Sequence, residues 1–207
     1  MHELTLLHTA KVHRATFDKL RDVIAPNAKL NHLVRADWLA RSQGGIDAAL
    51  AEEIAAAVNA VNGPVVCTCT TLGEVAEAAG AIRVDQPMMA AAAATGKAVM
   101  MAYCLNSTLA PSGDLLAREM AQAGNPSDIV PLDLSLFWPL FEAGEFEAFA
   151  AVIAAAVRDA LRDSDFGAVV LAQASMAGAA TLLADGQTPV FASPEMALRA
   201  GLAQALA

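Results

Sequence analysis

Cys69 is the residue of this chain best placed to do chemistry. It closes the apolar run Val65-Val66-Cys67-Thr68-Cys69 and leads directly into Thr70-Thr71-Leu72, a strand end passing into a helix start. Helix N–H groups and the positive end of the helix dipole there favour a thiolate or a bound carboxylate, so a thiol at this point can serve as base, acid or nucleophile. The competing reading is a small buried hydrophobe, a common fate of cysteine. Cys67 shares the strand face one pleat deeper, where packing is the expected role. A bare Cys-x-Cys is weak ground for a metal site, and none is expected. Thr70, Thr71, Asn106, Ser107, Thr108, Ser112 and Ser175 are small polar groups at or just after expected strand ends. Together with neighbouring N–H donors they could hold a carboxylate, and each could equally cap a helix. His8 also falls at a strand end, where it could act as acid, base or substrate hydrogen-bond donor. The other histidines, His2, His13 and His32, match no standard zinc spacing when combined with it and Cys69. Trp38, Phe137 and Trp138 read as core or interface packing.

These residues sit in a duplicated framework. Val65-Val66-Cys67-Thr68-Cys69-Thr70-Thr71-Leu72 lies over Val169-Val170-Leu171-Ala172-Gln173-Ala174-Ser175-Met176 at an offset of 104 residues, which pairs Cys69 with Gln173. Asp85-Gln86-Pro87-Met88-Met89-Ala90 lies over Ala192-Ser193-Pro194-Glu195-Met196-Ala197 at an offset of 107. Paired positions of a pseudo-symmetric protein are expected to face one another across the cleft between its halves. A thiol would then oppose an amide, with Thr70, Thr71, Thr108 and Ser175 nearby.

Short apolar runs alternate with helical patterns throughout, the signature of βαβ units and mostly parallel sheets. The fold class is therefore α/β. Strands are predicted at Leu4-His8, Leu30-Val34, Val65-Cys69 and Ala81-Val84, then Ala98-Cys104, Ile129-Leu132, Ala168-Gln173 and Val190-Ala192. Helices are predicted at Arg14-Ile24, Asp47-Asn59, Thr71-Ala79, Pro87-Thr95, Ser112-Ala123, Phe146-Leu161, Met176-Leu183 and Pro194-Leu202. Ligands of open parallel sheets bind outside the carboxyl ends of the strands, which puts His8, Cys69, Cys104 and Gln173 to Ser175 on the functional rim.

Composition narrows the function classes. With 207 residues, 56% of them hydrophobic and 17% charged, the chain can build a substantial core, and a net charge of −9 speaks against nucleic-acid or anionic-membrane partners. Three cysteines form no even disulfide set and the start MHELTLLHTAKVHR lacks a signal-peptide core, so a cytoplasmic, reducing location is expected. The uncharged stretch Phe166 to Ala184 is long enough to span a bilayer but is broken by Gly167, Gln173, Ser175, Gly178 and Thr181, and reads as strand then helix. No GxGxxG, GxxxxGK[ST] or GxSxG occurs in the required context, which removes support for nucleotide cofactors and a serine-hydrolase triad.

Cys69-Thr70-Thr71 followed by Gly73, Asn106-Ser107-Thr108 after the fifth strand, and the Val169 to Met176 segment together resemble the aspartate/glutamate/hydantoin racemase superfamily over nearly the whole chain. The resemblance implies two pseudo-symmetric halves, each a four-stranded mostly parallel sheet flanked by helices, with the active site between them. One half would comprise residues 1–86 and 192–207, the other 87–191. It also implies no cofactor, and catalysis by thiols on opposite faces of the substrate. Cys69 matches the first of these; Gln173 stands where the family has the second. An amide has no accessible proton-transfer pKa, but can donate a hydrogen bond to a carboxylate or an enediolate-like intermediate. The resemblance thus implies Cys69 and Gln173 as catalytic residues, with His8, Thr70, Thr71, Asn106, Ser107, Thr108, Ala174 and Ser175 binding substrate. Two functions follow: a cofactor-independent isomerase, racemase-like enzyme or lyase acting on a small carboxylate or related carbonyl compound, or a non-catalytic carboxylate-binding protein of the same fold. A homo-oligomer is compatible with either.

Overall fold

The computed structural model describes residues 3–42, 44–162 and 164–206. In chain order the elements are β1 Glu3–His8, α1 Val12–Ile24, β2 Lys29–Val34, α2 Ala36–Arg41, α3 Ala48–Asn59, β3 Val65–Cys67, α4 Thr70–Ala78 and β4 Ile82–Arg83. They continue with α5 Gln86–Ala93, β5 Val99–Tyr103, α6 Asn106–Gln122, β6 Ile129–Asp133, α7 Trp138–Glu142, α8 Phe146–Leu161, β7 Ala168–Leu171, α9 Ala177–Leu182, β8 Val190–Ala192 and α10 Ser193–Gln204. Short 3-10 turns at Ser135–Phe137 and Ala174–Met176 precede α7 and α9. The elements form two compact units, Met1–Val84 with Pro194–Ala207, and Asp85–Ser193.

In the first unit the strands run parallel in the order β2-β1-β3-β4. Strand alternation divides its apolar residues cleanly between two faces. Leu7, Val65 and Cys67 pack with Trp38 of α2, Leu50, Ile54 and Val58 of α3, and Leu72 and Ala76 of α4. Leu4, Leu6 and Val66 pack on the other face with Phe17 of α1 and Ala197, Leu198 and Leu202 of α10. Gly201 lets α10 settle onto that face, since a Cβ there would stand 2.8 Å from Leu4 Cδ1 and from Val66 Cγ2.

The second unit repeats this plan, with parallel strands in the order β6-β5-β7-β8. Met100, Ala102, Val169 and Leu171 pack with Phe149, Ile153, Ala154 and Val157 of α8 and with Met176, Ala179 and Leu183. Met88, Met89, Ala92 and Ala93 of α5 and Leu115, Leu116 and Met120 of α6 are buried as well. The pairing registers reproduce the sequence duplication: Cys67 aligns with Leu7 in one sheet and Leu171 with Ala102 in the other. Cys69 and Gln173 each stand two residues beyond those pairs, at equivalent positions.

All eight predicted strands are present. Two short helices, α2 and α7, were not anticipated, because five or six residues give too little periodicity to register as a pattern. Helix α6 starts at Asn106 instead of Ser112, so Asn106, Ser107 and Thr108 are helical and not a loop. The cause of that displacement is Pro111, which lies inside the helix, where its ring removes an N–H and ordinarily signals a boundary. Phe166 to Ala184 resolves into β7, a 3-10 turn and α9. Among the described residues no helix is long and apolar enough to cross a membrane.

Candidate functional site

In the first unit the rim is built by extending the β2-β1-β3 ladder past its formal ends. Arg35 N–H donates to His8 O at 2.8 Å and Thr68 N–H to Leu7 O at 2.9 Å. Leu33, Leu7 and Cys67 lie in register. Two residues past those partners, Arg35 and Cys69 follow the strands on either side of β1, at the carboxyl edge of the sheet. Cys69 keeps extended backbone (φ −116°, ψ 115°) and joins the same apolar cluster as Cys67. The Arg35 guanidinium lies 5.7 Å from the ring centroid of Trp38, a member of that cluster, and donates to its neighbour's Val34 O at 3.3 Å. Among the described residues Arg35 has no acidic partner, which leaves a positive charge on an edge that carries the thiol.

Cys69 is buried and is itself the N-cap of α4, with no side chain capping the helix. The α6 N-cap is Leu105 and that of the Ala174–Met176 turn is Gln173, again without side-chain caps. None of Thr70, Thr71, Ser107, Thr108 or Ser175 takes the capping role that competes with ligand binding. Thr70, Thr108, Ala174 and Ser175 are half-buried, while Thr71, Asn106 and Ser107 are exposed. Ser112 is fully buried in α6 and its hydroxyl has no partner.

His8 is fully buried, and both its ring nitrogens are engaged: Nδ1 lies 2.7 Å from Thr68 Oγ1 and Nε2 lies 2.8 Å from His32 Nδ1. Burial, reinforced by neighbouring His32, His13 and Arg14, pushes its pKa down to about 3. It is therefore a neutral imidazole at physiological pH. His2 lies outside the described residues, and no metal-binding cluster of histidine, cysteine and acid groups occurs among them.

On the second unit's rim, Gln173 Oε1 accepts two hydrogen bonds, from Cys104 N–H at 2.6 Å and Leu105 N–H at 3.1 Å. The amide oxygen thus ties the end of β7 to the junction between β5 and α6, leaving the NH2 group as its remaining donor. The Cys104 thiol is buried, and burial together with the Asp133 charge pushes its pKa up to about 12. It stays protonated at neutral pH. Sequence reasoning missed Arg35, whose place on the sheet edge that carries Cys69 follows from strand order alone, and the oxygen contacts of Gln173.

Two parallel four-stranded sheets of identical strand order, each flanked by helices and each with an uncapped turn at the end of its third strand, define the racemase-type two-unit α/β fold. Solved structures agree. Allantoin racemase from Klebsiella pneumoniae is similar with a TM-score of 0.66 and 18% identity, over 98% of this chain and 87% of that one. Glutamate racemase from Francisella tularensis, in complex with D-glutamate, gives 0.62 and 13% over 96% and 79%. The maleate isomerase Iso from Pseudomonas putida S16 gives 0.54 and 18% over 97% and 91%. No protein-family model matches the chain, and no curated protein matches it in sequence. The fold of the aspartate/glutamate/hydantoin racemase superfamily is thereby shown.

Proposed function

We propose that this protein is a cofactor-independent isomerase, racemase-like enzyme or lyase acting on a small carboxylate, with Cys69 as its base, acid or nucleophile. The observation that carries the reading is the carboxyl edge of the first unit's sheet. Cys69 holds the N-cap position of α4 without a side-chain cap bond, and Arg35, without an acidic partner among the described residues, stands on the same sheet edge. In this reading the α4 N–H groups and Arg35 hold carboxylate oxygens. Cys69, as thiolate, removes a proton next to the carboxylate or adds to the neighbouring carbon, and as thiol returns the proton. Gln173 cannot exchange protons; its NH2 group is suited to donate to an oxygen that gains charge during the reaction. One-base chemistry is therefore favoured over two-base racemisation. The fold likeness to racemases and to a maleate isomerase supports the reaction class, since their names point to small carboxylates or their relatives.

The testing experiment incubates the protein in D2O with dicarboxylates, amino acids, hydantoins and malonates and follows deuterium incorporation by NMR. Exchange or product formation lost in Cys69→Ala is expected. Exchange that survives Cys69→Ala would place the chemistry elsewhere. A non-catalytic carboxylate-binding protein is the second reading, favoured by the amide at position 173. It predicts ligand binding without exchange, and a Cys69 thiol no more reactive than a free cysteine at neutral pH.

A further inference from the structure

We propose that Asp18, His32, His8 and Thr68 form a hydrogen-bonded relay that takes up one proton at His32 and answers it by reversing the tautomer of His8 and the direction of the Thr68 hydroxyl. The relay runs through α1, β2 and β1 and ends at Thr68, directly after β3 and one residue before Cys69. Its outer end is Asp18, whose side chain is 42% exposed; His32 behind it is 6% exposed, and His8 is fully buried. The successive contacts are His32 Nε2 to Asp18 Oδ1 at 3.2 Å, His32 Nδ1 to His8 Nε2 at 2.8 Å and His8 Nδ1 to Thr68 Oγ1 at 2.7 Å. Thr68 Oγ1 also lies 3.1 Å from Leu7 O, a second acceptor for its hydroxyl proton.

Proton counting allows two arrangements. An ionised carboxylate only accepts, so His32 Nε2 carries a hydrogen in both. When His32 is neutral its Nδ1 is an acceptor; His8 must then donate from Nε2, its Nδ1 accepts, and the Thr68 hydroxyl points at the ring. When His32 is an imidazolium its Nδ1 donates. His8 must then accept at Nε2 and donate from Nδ1 to Thr68 Oγ1, and the Thr68 hydroxyl turns to Leu7 O. The two states differ by one solvent proton, break no covalent bond to carbon, and leave no member of the relay without a partner.

The extra proton belongs on His32 because, of the relay's two imidazoles, His32 is the one within hydrogen-bond reach of the carboxylate. His8 is faced by His13, Arg14 and Asp18 of α1 and by His32 of β2, and its burial and cationic neighbours hold its own pKa down to about 3. Asp18 in turn lies 3.6 Å from Arg21. The ring of Phe17 closes over His8 with centroids 5.8 Å apart, so water does not compete for its nitrogens.

The test is a pH titration of the full chain with 15N-labelled imidazoles, followed by NMR, which separates Nδ1–H, Nε2–H and doubly protonated rings. From pH 8.5 to 5.5, His8 should pass from the Nε2–H to the Nδ1–H tautomer in the same step in which His32 becomes doubly protonated. In Asp18→Asn, which removes the carboxylate that His32 touches, that step should move to lower pH. In His32→Gln, whose amide can hold His8 without titrating, His8 should keep one tautomer across the range. A His8 tautomer that stays fixed while wild-type His32 titrates would overturn the relay, and so would a reversal that persists in His32→Gln. None of these readouts depends on turnover by Cys69, so the relay and the proposed activity stand or fall separately.

Discussion

Gln173→Ala removes the oxygen that satisfies two backbone donors, and the cost can be worked from their surroundings. Cys104 is 1% exposed, so its N–H would be stranded away from water, at about 1–3 kcal/mol. Leu105 is half-buried, so water can replace much of its lost bond, and about 0.5–1 kcal/mol is expected there. The total, about 1.5–4 kcal/mol, is a large share of the ~5–15 kcal/mol that holds a typical protein folded. With a urea m-value of about 2–3 kcal/mol/M, the midpoint should fall by roughly 1 M. Gln173→Glu keeps an acceptor in the same place and strengthens it by charge, so it should recover most of the loss. Gln173→Cys should resemble Gln173→Ala, because a thiol is a weak acceptor and its sulfur ends well short of the amide oxygen. Urea unfolding followed by circular dichroism, with hydrogen exchange at the Cys104 and Leu105 amides, provides the assay. A Gln173→Ala protein within about 0.5 kcal/mol of wild type, with exchange at both amides unchanged, would refute the assignment. This prediction also bears on any attempt to restore a second thiol at this position: the variant must first be shown to retain the β5–α6 junction.

Three further outcomes are expected. Brief alkylation at pH 7–9 with mass-spectrometric mapping should modify Cys69 first and leave Cys104 intact, since a thiol with a pKa of about 12 holds almost no thiolate in that range; early modification of Cys104 would contradict this. Gly201→Ala should destabilise the protein by up to about 2 kcal/mol in a urea titration, because overpacking against Leu4 and Val66 costs ~1–3 kcal/mol against the ~1 kcal/mol gained in helix propensity; a more stable variant would show that α10 shifts freely. Once a turnover or binding assay is in hand, Arg35→Gln should weaken carboxylate binding by about tenfold or more while Arg35→Lys retains part of it, and equal binding by all three proteins would remove Arg35 from the site.

The strands were legible because each carries a short apolar run between turn signals, and the duplication because the two Val-Val segments keep their lengths around Cys69 and Gln173. What could not be read is what register and side-chain reach create. Arg35 sits 34 residues from Cys69 in a stretch with no motif, and only the parallel pairing of β2, β1 and β3 brings the two to one edge of the sheet. The same pairing joins His32 and Thr68 to His8, so a histidine that reads as a rim residue is fully buried with both nitrogens occupied. Gln173 was legible as the counterpart of Cys69, whereas its hold on backbone groups 68 and 69 residues earlier left no local trace. Pro111 misled in the opposite direction, as a strong local signal overruled by the packing of the helix around it.

The return of the chain to its first unit has a consequence for synthesis. Leu4, Leu6, Val66 and Phe17 emerge from the ribosome early, yet the helix that covers them, α10, is made only after the whole of Asp85–Ser193. At about 5–20 residues per second, the intervening stretch takes on the order of ten seconds to translate. Through that interval one side of the first sheet is covered only by α1, and the second unit has every residue of its own core before α10 is complete. Order of completion is thus reversed relative to order of emergence, and the nascent first sheet is the natural client for chaperones during that wait.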